Sequence, residues 1–488
     1  MLELFNARTR TREPFQTIEK GKVKMYCCGP TIHDFAHIGN FRTFIFGDLM
    51  RRYLRYSGYE VYQVTNLTDV EDKIIAKCQS HGKNLREFTE IYEKAFFEDL
   101  ETLNVEPSEA HPRATDPDVM DKMAAMISEL LEKGHAYRTD DGIYFSIKTW
   151  DQYGKFARIE IEDLRPGERV QDDEYEKGSA ADFVLWKAWT EKDGPIFWDQ
   201  YPELGKGRPG WHLECSAMGI LYLGETFDLH LGGIDLLFPH HQNEIAQSEC
   251  CTGKRFVNYW VHSQHLYVEG EKMSKSLGNF YTLRDLLDGD RNTSGQAWEP
   301  MAIRMALLKV HHGSRLNFTF ADLRASETSL ERLKGFIRRC EEIGADAQAP
   351  QAAHSLASKA EQDFKQAMDA DLNISLALAA VFTLVTEANK CFDADGEDSQ
   401  ELALSCLELL RGWDTVLGLK LFESELELEL TSEEKEWLEA RTRARAERNW
   451  AEADRLRDLL LESGITVVDT PDGARWEKKA RLSSADIR

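Results

Sequence analysis

These 488 residues lack a basic excess, a paired-cysteine framework and any run that reads as long and apolar enough to cross a bilayer. Each lack excludes something. A net charge of −25 argues against a coat that binds nucleic acid without regard to sequence, although local basic surface can still meet a polyanion. Nine cysteines, an odd number without disulfide-like spacing, predict reduced thiols. The opening MLELFNARTRTREPF resembles neither a secretory signal nor a transit peptide, so a cytoplasmic protein with no membrane partner is expected. Repeats and long low-complexity segments are missing too. What remains is a chain rich enough in apolar residues, at 42%, to build real cores, and long enough for about three domains.

The pattern along the chain is that of an α/β protein followed by helices. KVKMYCCG reads as a short buried strand ending at Gly29-Pro30. In the next segment Ile38, Phe41, Ile45, Leu49, Tyr53 and Leu54 fall at helical spacing up to Gly58, and YEVYQVTN reads as a second strand. Strand, glycine turn, helix, strand opens a nucleotide-binding unit of Rossmann type, whose ligands sit at the carboxyl ends of the strands. Residues 116–205 break into charged, turn-rich text such as DDGIYFSIKTWDQYGK and EDLRPGERVQDDEYEKG, which reads as an insertion. Parallel-sheet character returns in FDLHLGG and NYWVHSQHLYVEG. Beyond residue 323 the spacing is helical almost throughout, which predicts a bundle, and a small tail module closes the chain. The tail changes sign: residues 401–440 carry eleven acids and three bases, whereas 441–488 carry nine acids and eleven bases.

Two stretches carry chemistry. In CCGPTIHDFAHIGN, the HIGN tetrad falls where a helix starts, and exposed N–H groups there favour a phosphate. Gly39 permits close approach, and His37 and Asn40 can each donate a hydrogen bond to developing negative charge. Far downstream, GEKMSKSLGN places Lys272 and Lys275 three apart in a loop suited to polyphosphate. The thiols of the first stretch need another account. RPGWHLECSAMG supplies Cys215, and FPHHQNEIAQ supplies His240 and Glu244, four apart and on one face of a helix. Two thiolates, an imidazole and a carboxylate are a zinc-type donor set, with buried structural cysteines the competing reading.

HIGN on a first strand–helix turn, with KMSKS after a later strand, resembles the signature of the class I aminoacyl-tRNA synthetases; Asn40 stands where the family has a second histidine. MYCCGPT, HIGN, TDVEDK, RPGWHLECSAM, FPHHQNEIAQ and EKMSKSLGN then occur in the order seen in cysteinyl-tRNA synthetases, and the similarity spans nearly the whole chain. The resemblance implies an α/β Rossmann-type catalytic domain (1–115 and 206–265) with a connective insertion (116–205). A lysine-loop region (266–322), a helical bundle (323–427) and a C-terminal anticodon-binding domain (428–488) follow. It implies one zinc on Cys28, Cys215, His240 and Glu244, with Cys27 left as packing. Magnesium accompanies ATP, which His37, Gly39, Asn40 and Lys275 bind, while Lys272 and Lys275 steady charge moving onto pyrophosphate. Thr68, Trp211 and His230 line the amino-acid pocket, and His33 is structural or near ATP.

The partners so implied are L-cysteine, ATP and tRNA(Cys), and the enzyme is a monomer. His241 is expected to point away on its helix and not to ligate. Gln242 and HLGGID depart from the commoner Glu and HGGGSD. Trp450 and Trp476 are candidates for stacking on anticodon bases beside the arginines of RTRARAER. Two other readings stay open: a cysteine ligase acting on an amino-sugar acceptor (mycothiol-type), whose relatives lack this tail, and a non-catalytic RNA-binding or zinc-storage protein.

Overall fold

The computed structural model describes residues 1–159, 182–345, 353–394, 398–423, 431–446, 449–463, 465–470 and 473–478. The stretch EDLRPGERVQDDEYEKG lies outside them. Two compact units emerge, Met1–Leu419 and Lys420–Arg488.

The first unit is organised by four parallel strands. β1 (Lys22–Cys27) leads into α1 (Ile38–Tyr56) and β2 (Glu60–Thr65); α2 (Trp211–Leu223), β3 (Phe227–Gly233), α3 (Gln242–Thr252) and β4 (Val257–Ser263) complete the set. The order β4–β3–β1–β2 places β1 centrally, with Tyr26 beside His230 and Cys27 beside Leu231. Parallel strands covered by helices must bury both faces, and β3 does so over six of its seven residues. All six apolar positions expected on α1 are buried. The run from Asn258 to Gly270, read as one element, divides at Ser263: Leu266–Val268 pairs instead with Leu316–Phe318 and Glu271–Lys272, forming a separate small sheet that carries the lysine loop.

The expected insertion, 116–205, contains a helix, Pro117–Glu132, and the first three strands of an antiparallel sheet built in succession from Ala136–Arg138, Gly142–Phe145, Phe183–Ala188 and Gly207–Pro209, the last just past the expected boundary. The last of these strands delivers the chain directly into α2.

Helices Phe320–Gly344, Ser355–Asp369, Ile374–Asp393 and Ser399–Leu417 follow. One of them corrects the sequence reading. Ile374–Asp393 is long and apolar enough, by length and composition, to cross a membrane. Its buried residues Ile374, Ala377, Leu378, Val381, Leu384, Val385, Ala388 and Phe392 recur at three- and four-residue spacing, so the apolar character serves one face packed in the bundle. Arg304, wholly buried, ties the bundle to the catalytic half: it pairs with Asp48 of α1 and donates to the main-chain oxygens of Leu417 and Leu103.

Among its described residues the second unit has two helices, Ser432–Ala446 and Trp450–Glu462, and a hairpin of Ile465–Thr470 with Gly473–Lys478. Leu460 and Ile465 form its small core with Trp437, Leu438 and Val467. Trp450 is 56% exposed, with the Arg445 guanidinium 5.6 Å from its ring centre. Trp476 lies opposite Val467 in the hairpin, and its side chain falls outside the described residues.

Candidate active site

The carboxyl ends of β1 and β2 are drawn together at Gly29. Its N–H donates to Asn66 Oδ1 at 2.7 Å, and a Cβ there would lie 1.6 Å from the Asn66 carbonyl oxygen, so no other residue fits. Cys28 is thereby presented at the crevice, its N–H donating to Leu231 at the end of β3. Cys27 turns to the opposite face against Gly47 of α1, where burial pushes its thiol up to about 12 and leaves it neutral packing. One turn into α2 stands Cys215; just before and within the first turn of α3 stand His240 and Glu244. One donor atom from each of Cys28, Cys215, His240 and Glu244 lies within 4.8 Å of all the others, and all four residues are buried.

His240 Nε2 is 3.0 Å from Glu244 Oε1, yet that oxygen has no hydrogen-bond partner. His212 Nδ1, 2.8 Å from His240 Nδ1, holds the ring with Nε2 toward the cluster. His230 Nε2, 2.9 Å from Glu244 Oε2, holds the carboxylate, and His230 itself is stacked on Trp260. Oriented donors backed by outer hydrogen bonds are the mark of a metal site. The electrostatics agree. Burial pushes the Cys28 thiol well up, and it would raise the Glu244 carboxyl too, were the His230 and His240 imidazoles not holding that group down at about 2. Burial lowers His240, but the Cys215 thiolate and Glu244 outweigh it and carry the imidazole up to about 10. Such a buried, mutually dependent set of thiols, carboxylate and imidazoles fits a divalent cation that would satisfy it at once.

His241 overturns its expected place. It does not point away: Nε2 is 3.3 Å from Cys28 Sγ and 3.9 Å from Glu244 Oε1, and Cys28, His230, His241 and Glu244 form a second convergent donor set. His240 and His241 precede Glu244 by four and three residues, and both spacings lie on one helix face. His241 Nδ1 meets His262 Nε2 at 2.8 Å. His212 and His262 went unremarked in the sequence because their partners, His240 and His241, are distant in it.

The nucleotide end lies on the β1–α1 connection. His37 is the N-cap of α1: its Nδ1 accepts from Asn40 N–H at 3.2 Å, while Asn40 Oδ1 accepts from His37 N–H at 3.1 Å. Asn40 thus closes a capping box, which accounts for an amide at this position. Burial lowers the His37 pKa, so the ring is neutral near pH 7, and with Nδ1 accepting, the proton sits on Nε2, ready to donate. Asn40→Ala is expected to cost about 1 kcal/mol of stability, the usual worth of a cap; thermal denaturation checks it. At Gly39 a Cβ would meet the His37 ring at 3.0 Å and Met273 Cε at 3.3 Å, so the missing side chain lets the lysine loop approach the tetrad. Lys275 reaches back to Asp34, Nζ to Oδ2 3.1 Å, and lies 5.1 Å from the Phe280 ring centre. Lys272 is exposed on its short strand opposite Tyr267. His33 stays on the same turn, its Nδ1 3.2 Å from the Thr31 carbonyl.

Around the cluster, the Trp211 ring covers His240 with centroids 4.6 Å apart and is 37% exposed, placing it at the mouth. Thr68 donates its hydroxyl to Glu214 Oε2 at 2.9 Å. Glu214 was not singled out in the sequence, yet it is wholly buried and its other oxygen has no partner.

A parallel sheet with HIGN at its first turn, a lysine loop packed on that turn and a helical bundle behind define a class I aminoacyl-tRNA synthetase. Family models agree: "tRNA synthetases class I (C) catalytic domain" matches residues 14–328, "DALR domain" 363–422 and "Cysteinyl-tRNA ligase anticodon binding domain" 428–476. The chain is 45% identical to a cysteine–tRNA ligase of Protochlamydia amoebophila, covering 98% of each chain. It is 42% identical to one of Brachyspira hyodysenteriae, over 97% of this chain and 99% of that one. A methionyl-tRNA synthetase of Mycobacterium tuberculosis in complex with methionyl-adenylate shares the fold, with a TM-score of 0.59 at 15% identity over 81% of this chain and 89% of that one. The chain belongs to the cysteine–tRNA ligase family.

Proposed function

We propose that this chain activates L-cysteine with ATP to cysteinyl-adenylate and transfers the cysteinyl group to the 3′ end of tRNA(Cys), releasing pyrophosphate and AMP. The observation that carries the reading is the buried Cys28–Cys215–His240–Glu244 cluster at the strand ends, whose Cys28 lies on the same β1–α1 connection as HIGN. In this reading zinc occupies the cluster. Bound there, zinc supplies a soft Lewis acid that takes up a thiolate readily and a serine hydroxyl poorly. A pocket selecting on size alone separates such neighbours by only about 10–200-fold.

The chain's own residues do the rest. Trp211 closes the mouth, and the Thr68–Glu214 pair forms a polar wall. His37 Nε2–H donates to the α-phosphate region as the substrate carboxylate attacks in line, Lys275 steadies the departing magnesium pyrophosphate, and Lys272 adds positive charge from its loop. His230 holds Glu244. Trp450 and the arginines of the second unit meet the anticodon stem-loop. The match to an anticodon-binding domain favours tRNA over an amino-sugar acceptor, and the enzyme acts as a cytoplasmic monomer.

ATP–pyrophosphate exchange with cysteine and with serine, followed by charging of tRNA(Cys), tests the proposal. Exchange with cysteine exceeding that with serine by more than about 200-fold, beyond what size selection gives, is expected. Comparable exchange with both, or acylation of an aminoglycoside in place of tRNA, rules it out.

A further inference from the structure

A second group of metal-type donors shares no residue with this site and meets it through His262. His311 and His312 sit on the turn between the helix Pro300–Leu308 and the strand Leu316–Phe318. Asp371 sits on the turn between the helices Ser355–Asp369 and Ile374–Asp393. One donor atom from each of the three lies within 4.8 Å of the others. His311 Nε2 is 3.5 Å from Asp371 Oδ2, and His312 Nε2 is 3.4 Å from Oδ1. Those separations exceed good N–H···O hydrogen bonds. They match the edge, about 3.3–3.5 Å, of a tetrahedron whose bonds from the centre are about 2.0–2.1 Å.

His312 supplies an independent pointer. It is only 6% exposed, and its Nδ1 lies 3.1 Å from the His262 carbonyl, an acceptor that fixes the ring proton on Nδ1. The lone pair is then on Nε2, which is buried, faces the carboxylate and has no hydrogen-bond partner. One nitrogen donating to a main-chain carbonyl while the other presents its lone pair is how metal-ligating histidines are oriented. Asp371 is equally fixed: its Oδ1 accepts from Phe5 N–H at 2.8 Å and its own N–H donates to Glu3 at 3.0 Å, while Arg12 Nε, half exposed, stands 3.9 Å from Oδ2. His311 is the adjustable member. Its Nδ1 accepts from Gly313 N–H and its Nε2 donates to the Asp371 carbonyl at 2.9 Å, so binding an ion through Nε2 moves the ring proton to Nδ1, gives up the Gly313 contact and frees the Asp371 carbonyl as a fourth donor.

We propose that His311, His312 and Asp371 form a second metal site, all nitrogen and oxygen, for a divalent first-row transition ion such as zinc. Borderline imidazole donors favour this class over magnesium or calcium. The ion would clamp three segments at one point: the N-terminal strand through Glu3 and Phe5, the 311–313 turn, and the turn entering the helix Ile374–Asp393.

The test is titration of the chelator-stripped full-length chain with cobalt(II). The first equivalent is expected to bring thiolate-to-metal charge-transfer absorption from the cysteine cluster. The second is expected to add ligand-field bands without further charge transfer, as an all nitrogen and oxygen donor set requires. His312→Gln should lose the second equivalent and keep both the first and cysteine-dependent pyrophosphate exchange. A wild-type chain that takes up no second equivalent overturns the proposal, as does a second equivalent persisting in folded His312→Gln and Asp371→Asn proteins. Loss of exchange in His312→Gln that still binds its first equivalent would also count against a site separate from the chemistry.

Discussion

Cys215→Ser is expected to abolish tight zinc binding in a metal titration and to lower kcat/KM for cysteine in pyrophosphate exchange by about a thousandfold, roughly 4 kcal/mol of transition-state stabilisation. The serine hydroxyl is nearly isosteric, so packing among the buried residues around Cys215 changes little. What changes is the donor: a hydroxyl is a poor ligand for zinc and leaves Cys28, His240 and Glu244 converging on a position they no longer hold together. His240→Gln, which keeps volume and removes the imidazole donor, should act the same way. Circular dichroism of each variant separates lost chemistry from lost folding. Full metal content and parental exchange in both would remove the cluster from cysteine recognition.

Lys275→Ala should slow adenylate formation by about 100- to 1000-fold while changing the KM for cysteine only a few-fold. The geometry is the reason. Its ammonium is 70% exposed and rests against Asp34, so it binds no part of the amino-acid pocket in this arrangement. Burial alone would raise the Asp34 pKa, but Lys275 and Lys77 more than offset it and hold the carboxyl below its usual value, so Asp34 is a carboxylate at neutral pH. A polyphosphate offers the lysine a denser anion than one carboxylate, and the charge that develops on pyrophosphate is where its effect should appear. Single-turnover measurement of adenylate formation reads this step directly. A matching rise in KM with no change in rate would assign Lys275 to binding instead.

Much of the site was legible because its parts announce themselves locally. The strand, Gly29-Pro30 turn and α1 follow from alternating and helical spacing, and the four donors follow from motifs whose order carries the resemblance. What could not be read depends on contacts across long separations. His241 looked like the far side of a helix, yet a residue three before Glu244 shares its face as surely as one four before. His212 and His262 become partners of the cluster only when α2 and β4 pack beside α3. The pairing of Asn40 with His37 was readable in principle, since an N-cap with a polar residue three on is a capping box, but the tetrad drew attention to phosphate first. The helix Ile374–Asp393 was legible as part of a bundle from its spacing, whereas its membrane-span-like length and composition were passed over.

Recognition of the amino acid through its sulfur is the core of the account, and X-ray absorption at the zinc edge addresses it most directly. On protein loaded with one equivalent of zinc, two sulfur neighbours, Cys28 and Cys215, should rise to three when L-cysteine is added and stay at two with L-serine. A sulfur count that does not move with cysteine would contradict it.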